Sequence, residues 1–316
     1  MPELPEVETV VRDLRASDLV GLRVVNARVL WKRSIATPTW FRFTTEIQGR
    51  EILDLSRRGK FIVARLSEGF TLLIHLRMSG RLHVAGPSAE SSRRTHERVV
   101  FSLSDGRELR FSDPRKFGRL WLARDSGGVL EKLGPEPFAL TAAEFSALVS
   151  ARSRLLKPLL LDQTLIAGIG NIYSDEALWE ARLHPRRKSD SLAAQEAATL
   201  LRAIQRVLRR GIRNLGTTLG AGKTHFVLPR GGRGRNQEQL SAYGQTGKPC
   251  PRCGTSIQRI LVGQRATHLC PACQPAPRRK RAKPPGVPDP RARRGYSVPT
   301  ANGVARRSGR SKYAAK

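Results

Sequence analysis

Residues 51–78 read EILDLSRRGKFIVARLSEGFTLLIHLRM, and this stretch decides the fold class. It holds three short runs rich in aliphatic and β-branched residues, separated at Gly59 and Gly69, as hairpins require. Similar runs lie at 22–31, 97–103, 108–113 and 119–123, and strands do not alternate regularly with helices. We therefore predict an antiparallel β-sandwich or barrel over residues 1–133, and we do not expect a parallel sheet.

A helix is predicted upstream of these strands. From Pro5 onward, apolar residues recur at helical spacing along one face, namely Val7, Val10, Val11 and Leu14. Prolines are tolerated in the first turn of a helix, and acidic residues there complement its dipole. The sequence thus indicates an N-terminal helix that packs on the sandwich and ends before Gly21.

The chain changes character after residue 133. KLGPEP at 132–137 has the composition of a linker, so 134–150 is interpreted as a linker followed by a helix. Helical patterns then fill the stretch up to 216, and a glycine-rich basic loop covers 220–235. We predict a second, nearly all-α domain over 151–236, which makes the protein an α+β multidomain chain.

All four cysteines lie in one short segment. They are Cys250, Cys253, Cys270 and Cys273, which form CxxC, sixteen residues and a second CxxC. This spacing is typical of a tetrahedral four-cysteine site for one structural Zn²⁺, with a β-hairpin between the two knuckles. Two disulfides are the alternative, which a cytoplasmic location disfavours. We predict a zinc finger over 240–273.

The net charge points to a polyanionic partner. Lys and Arg number 57 against 26 Asp and Glu, a formal charge of +31. Such a charge favours DNA or RNA, although ribosomal assembly or a merely solvated basic surface would also fit. Residues 274–316 carry 13 basic residues and one acid, and we expect a disordered basic tail there. No leader peptide or membrane-length apolar run is visible, so the predicted location is the cytoplasm.

Five segments together resemble one family. They are MPELPEVETV at 1–10, HLRMSG at 75–80, SDPRKFG at 112–118, GIGNIYSDEAL at 168–178 and the hairpin with GQRATHLC at 263–270. In this order, spanning residues 1–273, they resemble formamidopyrimidine-DNA glycosylase. The resemblance implies a β-sandwich with a helix, a helix–two-turn–helix domain and a zinc finger.

The resemblance also implies a bifunctional repair enzyme. Such an enzyme flips oxidised purines (8-oxoguanine and formamidopyrimidines) out of double-stranded DNA, excises them and cuts the strand at the abasic site. Two alternatives stay open: an endonuclease VIII-like relative that prefers oxidised pyrimidines, and a non-catalytic DNA-binding protein on the same scaffold. We expect a cytoplasmic, nucleoid-associated bacterial monomer without a protein partner.

The family's catalytic residues match four positions of this chain: Pro2, Glu3, Lys60 and Arg265. By resemblance, Met1 is removed and the secondary amine of Pro2 attacks the sugar through a Schiff base. Glu3 is then an acid–base group beside the sugar, and Lys60 a proton donor or phosphate ligand. Arg265 matches the arginine that supports the second elimination, and Glu6 is a candidate lesion contact.

The resemblance assigns the DNA-binding residues as well. Met78, Arg115 and Phe117 correspond to the wedge that fills the gap left by the flipped base. The phosphate contacts are expected from His96, Arg115, Arg152, Lys157 and Asn171. Free backbone amides at the start of the helix in GIGNIY are a further anion site.

Two places depart from the family pattern. The loop over the flipped base, between 219 and 241, is divergent here, so its contacts do not carry over. Arg77 stands where some relatives have glycine, next to the wedge.

Overall fold

The computed structural model describes residues 1–86, 96–124, 127–219 and 226–277. The helices are α1 (Leu4–Arg15), α2 (Trp40–Ile47), α3 (Gly127–Leu130), α4 (Ala142–Ser150), α5 (Leu156–Leu161), α6 (Asn171–Glu180) and α7 (Ala194–Arg213). The strands are β1 (Val24–Val29), β2 (Ile35–Thr37), β3 (Ile52–Arg58), β4 (Phe61–Leu66), β5 (Thr71–His75), β6 (Arg81–Ala85), β7 (Glu97–Leu103), β8 (Glu108–Ser112), β9 (Arg119–Ala123), β10 (Gln258–Val262) and β11 (Arg265–Leu269).

The first nine strands form the two sheets of a sandwich. One sheet has the order β1-β7-β8-β6, and the other has the order β2-β9-β5-β4-β3. The pairs are antiparallel except β2 with β9, which run parallel from Ile35 opposite Leu120. Neither sheet is a parallel sheet, as predicted, although this one pair at the edge of the second sheet is parallel. Because β2 and β9 are far apart in the chain, no hairpin turn fixes their direction.

The predicted N-terminal helix joins two cores. Val7, Val10 and Leu14 of α1 are buried with the side chains between the two sheets, as their spacing predicts. Leu4, at the start of the same helix, belongs to the core of the helical domain instead. The first residues of the chain therefore lie at the junction of the two domains.

The helical domain is built from α4 to α7. Its core includes Phe145, Leu159, Tyr173 and Ile204, one from each of these helices. Helices α5 and α6 with the turn between them are the predicted helix–two-turn–helix motif. None of the helices in the described ranges is long and apolar enough to cross a membrane.

The finger consists of the β10–β11 hairpin and the two cysteine knuckles. It extends one residue further than predicted, because Gln274 is fully buried. Its side-chain oxygen accepts from the Cys270 amide at 2.9 Å and its nitrogen donates to the Leu183 carbonyl at 2.9 Å. The predicted tail therefore does not begin at 274, and its residues 278–316 lie outside the described part of the chain.

Candidate functional site

A cavity of about 270 Å³ opens beside the N-terminus. Pro2 is buried in its wall, while Met1 at the same place is 49% exposed. Glu6, Met78 and Arg115 also line this cavity. The structure thus brings the predicted nucleophile, the predicted lesion contact and two predicted wedge residues to one place.

The Glu3 carboxylate binds the N-terminus of α6. It accepts hydrogen bonds from the amides of Gly170 at 2.7 Å, Ile172 at 2.8 Å and Tyr173 at 3.3 Å. A side chain at Gly170 is excluded, since its Cβ would lie 2.4 Å from the Glu3 Cδ. The amides therefore form an anion site, as predicted, but the Glu3 carboxylate occupies it in place of a DNA phosphate.

Glu6 lies in a buried hydrogen-bonded cluster. Its carboxylate accepts from the Tyr173 hydroxyl at 2.8 Å, the Thr217 amide at 2.7 Å and the Glu3 amide at 2.8 Å. The Asn236 side chain donates to Thr217 Oγ1 at 2.9 Å, so a residue of the divergent loop joins the cluster. Burial, followed by the charge of Glu3, raises the pKa of Glu6 to about 7.

Lys60 lies in the turn between β3 and β4 and is 5% exposed. Burial lowers the pKa of its ammonium group, while the charges of Glu3 and Glu6 raise it and that of Arg265 lowers it. These four charged groups are therefore close enough to act on one another. The structure thus brings three of the predicted catalytic residues, Glu3, Lys60 and Arg265, near one another from distant parts of the chain. The fourth, Pro2, precedes Glu3 and lines the cavity.

Glu136 holds the turn that carries Lys60. Its carboxylate accepts from the Gly59 amide at 2.6 Å and from the guanidinium groups of Arg57 at 3.0 Å and Arg58 at 3.1 Å. Burial alone would raise the pKa of Glu136, but these donors together hold it below its usual value. Sequence reasoning treated this segment only as a linker. The acid within GPEP was the available signal.

The predicted wedge is exposed. Met78 is 44% exposed and Phe117 is 47% exposed, and the Arg115 guanidinium lies 5.0 Å from the Phe117 ring centroid. Arg77 has a φ of 53°, in the left-handed region that favours glycine. This backbone conformation explains why glycine also suits that position.

Asp113 fastens the two wedge loops to each other. It is fully buried, and its carboxylate accepts from the Ser79 hydroxyl at 2.5 Å and from the amides of Arg115 at 3.1 Å and Gly118 at 2.7 Å. The loop that carries Met78 is thereby joined to the loop that carries Phe117. Sequence reasoning missed this role, although Asp113 stands in the SDPRKFG motif.

Lys157 is not at the surface, in contrast to the expectation for a phosphate ligand. Its side chain is fully buried, and its ammonium group donates to Asp175 at 2.5 Å and to the Asn171 carbonyl at 3.1 Å. Asp175 also accepts from the backbone amide of His268 at 2.9 Å and lies 3.0 Å from its ring nitrogen. The charge of Lys157 is therefore satisfied inside the protein. Through Asp175, Lys157 helps to fix α6 to the finger.

Asn171 also connects α6 to the hairpin. Its side-chain nitrogen donates to the Ala266 carbonyl at 3.0 Å, and its oxygen has no hydrogen-bond partner within the described ranges. The adjacent Arg265 is exposed at the start of β11. The hairpin thus presents Arg265 next to Asn171 and near Lys60.

Two predicted phosphate contacts, Arg152 and His96, lie on other elements of the fold. Arg152 is exposed in the turn after α4, and His96 is half-buried before β7 with a φ of 81°. Of the divergent loop, residues 220–225 lie outside the described ranges. After them, the Phe226 carbonyl accepts from Thr218 at 2.9 Å, and Arg230 pairs with Asp13 at 2.8 Å.

The four cysteines fit one zinc ion. Their sulfur atoms lie within 4.8 Å of one another, with 4.0 Å between Cys250 and Cys273 and 3.4 Å between Cys253 and Cys270. A Zn–S bond of about 2.3 Å gives a tetrahedral edge of about 3.8 Å, whereas a disulfide needs about 2.05 Å. The Trp179 indole donates to the Cys250 sulfur at 3.4 Å, as suits a thiolate. The site is a structural Zn²⁺ site, since four thiolates leave no open position.

Three family models match the chain in order. Residues 1–120 match the formamidopyrimidine-DNA glycosylase N-terminal domain, and 133–221 match the H2TH domain of the same glycosylase. Residues 247–276 match the zinc finger found in FPG and IleRS. The matches therefore follow the sandwich, the helical domain and the finger.

Individual proteins agree with these models over nearly their whole length. The formamidopyrimidine-DNA glycosylase of Protochlamydia amoebophila is 43% identical over 276 residues, which cover 87% of this chain and 99% of that protein. The formamidopyrimidine-DNA glycosylase of Herpetosiphon aurantiacus is 47% identical over 280 residues, which cover 87% of this chain and 100% of that protein. A crystal structure of a Lactococcus lactis FPG mutant with Fapy-dG DNA has a TM-score of 0.79 and 35% identity, covering 87% of this chain and 100% of that one. MutM with carbocyclic 8-oxo-G DNA has a TM-score of 0.78, 35% identity and the same coverage, 87% and 100%.

Together with the geometry, these similarities identify the chain as a DNA glycosylase of base-excision repair. It belongs to the formamidopyrimidine-DNA glycosylase family.

Proposed function

We propose that this enzyme removes oxidised purines from double-stranded DNA and then cuts the strand at the abasic site, with Pro2 as the nucleophile. The observation that carries the proposal is the cavity that Pro2 shares with Met78, Arg115 and Glu6. Relatives of similar fold bind Fapy-dG DNA and carbocyclic 8-oxo-G DNA, which supports oxidised purines as the substrates.

The first step uses the amine that Pro2 gains when Met1 is removed. An α-amine has a pKa of about 8, well below that of a lysine, so a useful fraction is unprotonated near neutral pH. Its lone pair forms a bond to C1′ while the bond from C1′ to the base breaks, and the base leaves with that electron pair and takes up a proton. The attacking nitrogen then loses its proton, and its lone pair displaces the ring oxygen O4′ from C1′. O4′ takes up a proton, the sugar ring opens, and an iminium ion forms between Pro2 and C1′.

The iminium ion makes strand cleavage possible. Loss of a proton from C2′ sends its electrons toward the iminium and expels the 3′ phosphate. Loss of a proton from C4′ in the same way expels the 5′ phosphate, and water then releases the sugar fragment from Pro2. Arg265 and Lys60, which lie near each other, are suited to bind these phosphates as they leave.

Proton transfer is assigned first to Glu6. It lines the cavity, and with a pKa of about 7 it exists in both protonation states near neutral pH. Glu3, held by three amides at the start of α6, orients the N-terminus, and its predicted acid–base role is secondary in this scheme.

The DNA is proposed to lie across the cavity and the hairpin. Asn171, Arg115, His96 and Arg152 would contact phosphates, and Met78 and Phe117 would fill the gap in the duplex. Lys157 would act by fixing α6 rather than by direct contact, because it is fully buried. The bacterial relatives support a cytoplasmic enzyme, and we propose that it acts as a monomer.

One assay tests this function. The enzyme is incubated with duplexes that contain 8-oxoguanine, a formamidopyrimidine or thymine glycol, with and without borohydride. We expect strand cuts and a trapped covalent adduct with the two purine lesions. Preference for thymine glycol would indicate an oxidised-pyrimidine glycosylase instead, and binding without cuts or adduct would indicate a non-catalytic protein.

A further inference from the structure

Alternating aromatic and cationic side chains lead away from the wedge. Lys116, between Arg115 and Phe117, places its ammonium group 4.2 Å from the Trp31 ring centroid. The next residue, Lys32, lies 4.5 Å from the ring centroid of Trp40, which meets Phe41 edge-on at 6.1 Å. We call Lys116, Trp31, Lys32, Trp40 and Phe41 the aromatic–lysine strip.

The strip is open to an anion. The chain has no acidic residue between Asp18 and Glu46, and neither Lys32 nor Lys116 forms an ion pair with the described part of the chain. Instead the aromatic rings hold the two ammonium groups in place. At the far end of the strip, Phe41 is 64% exposed. Uncompensated lysines interleaved with exposed rings have the composition of a nucleic-acid surface.

The strip is also joined rigidly to the wedge. The Arg98 carbonyl accepts from the amides of Leu30 at 2.8 Å and Trp31 at 3.1 Å. The guanidinium of Arg98 in turn donates to the Asp113 carbonyl at 2.8 Å. Because Asp113 fastens the wedge loops, the strip lies at a fixed position beside any duplex that the wedge enters.

We propose that the aromatic–lysine strip binds the duplex that flanks the lesion on the wedge side. Lys32 and Lys116 contact backbone phosphates, and Trp40 and Phe41 pack against the adjoining sugars. The strip would thereby lengthen the bound DNA beyond the flipped nucleotide and its immediate neighbours. This proposal rests on the proposed function, since the wedge must enter damaged DNA.

The test measures binding to duplexes with a tetrahydrofuran abasic analogue by fluorescence anisotropy. One duplex has about ten base pairs on each side of the analogue. In each of two others, one of the flanks is shortened to about three base pairs, or about 10 Å at a rise of about 3.4 Å per base pair. For the long duplex, Lys32→Ala should reduce the slope of log affinity against log salt by about 0.9. The double variant Trp40→Ala/Phe41→Ala should bind it about fivefold to tenfold more weakly.

The trimmed duplexes decide the outcome. On the duplex that lacks the flank bound by the strip, the variants should bind with the same affinity as the wild type. On the duplex that lacks the opposite flank, they should show the same losses as on the long duplex. Arg65→Ala on β4 and Leu53→Ala on β3 are the matched exposed controls, and circular dichroism checks folding.

Unchanged binding of the long duplex, as expected if the strip binds a protein instead, would overturn the proposal. Equal losses on all three duplexes would overturn it as well, since the effect would then act through the lesion site. If the wild type itself does not prefer the analogue over undamaged DNA, the proposed function fails rather than the strip.

Discussion

The reactive centre and the wedge share one cavity but are built in opposite ways. Glu3, Glu6 and Lys60 are 2%, 1% and 5% exposed, and each is charged or titratable. Met78, which lines the cavity, and Phe117 are apolar and are 44% and 47% exposed. The proposed catalytic groups are thus hidden from water, whereas the proposed wedge side chains are exposed to it.

The difference in burial means that the two regions contribute differently to the stability of the free protein. A buried charge is unfavourable unless other groups compensate it, and its burial shifts pKa values toward neutrality, where proton transfer is efficient. The exposed side chains of the proposed wedge need no such compensation in the free protein, because they would be buried only on binding DNA. Substitutions should therefore affect stability, activity and affinity in different proportions in the two regions.

The largest effect is expected for Lys60→Met, which removes the buried ammonium group but keeps most of the volume. Because Lys60 lies among the catalytic charges, single-turnover excision should fall by about 10²- to 10⁴-fold. The exposed Lys248→Met is the control and should stay within about threefold. A loss of less than about tenfold for Lys60→Met would show that this lysine only binds DNA.

Asp175→Ala tests the buried charges that support the hairpin. It leaves the fully buried Lys157 without its carboxylate, so the free energy of unfolding should fall by about 3–5 kcal/mol. Urea unfolding with zinc present measures this change. The exposed Asp190→Ala should change it by less than about 0.5 kcal/mol, and an equally small change for Asp175→Ala would contradict the account.

Glu6→Gln tests the raised pKa of the cavity wall. The folded protein holds the Glu6 proton up to a pKa of about 7, above its ordinary value of 4.5. Between pH 4.5 and 7 the native state therefore binds more protons than the unfolded state. Glu6 should lower the free energy of unfolding by up to about 3 kcal/mol as the pH rises from 4.5 to 7. Glu6→Gln should remove that fall in urea unfolding from pH 5 to 8, whereas the exposed Glu131→Gln should keep it. Parallel curves for Glu6→Gln and wild type would exclude the raised pKa.

Phe117→Ala should have the smallest effect on the free protein. The unfolding free energy should change by no more than about 0.5 kcal/mol, because the ring is half exposed. Affinity for a lesion duplex should nevertheless fall about fivefold to tenfold, as stacking on the neighbouring bases is lost. Val20→Ala, also exposed, should change neither quantity. A large loss of stability would place Phe117 in the core and remove the contrast between the regions.

The sequence predicted those parts of the fold that repeat a simple period. Alternating apolar runs indicated the β3, β4 and β5 strands, and the cysteine spacing indicated the finger. Helix α2 was missed, because only Phe43 and Ile47 mark its buried face and its first residues, Trp40 and Phe41, are exposed. A pattern of apolar residues does not distinguish such exposed rings from a strand.

The site residues were predicted only through the family resemblance, and their surroundings were not. Neither the carboxylate of Glu3 at the start of α6 nor the pairing of Lys157 with Asp175 has a local signal, since the partners are distant in the chain. Burial of a lysine or a glutamate depends on which elements pack against it. Only the assembled structure shows that Lys157 faces inward while Arg265 faces out.

The central claim is that the amine of Pro2, in the wall of the cavity, attacks the damaged nucleotide. The direct measurement is mass spectrometry of the native enzyme before and after borohydride trapping on an 8-oxoguanine duplex, with the adduct mapped to a peptide. The account predicts chains that begin at Pro2 and a sugar fragment attached to that residue. An adduct on a lysine, or full cleavage by enzyme that retains Met1 in every molecule, would contradict it.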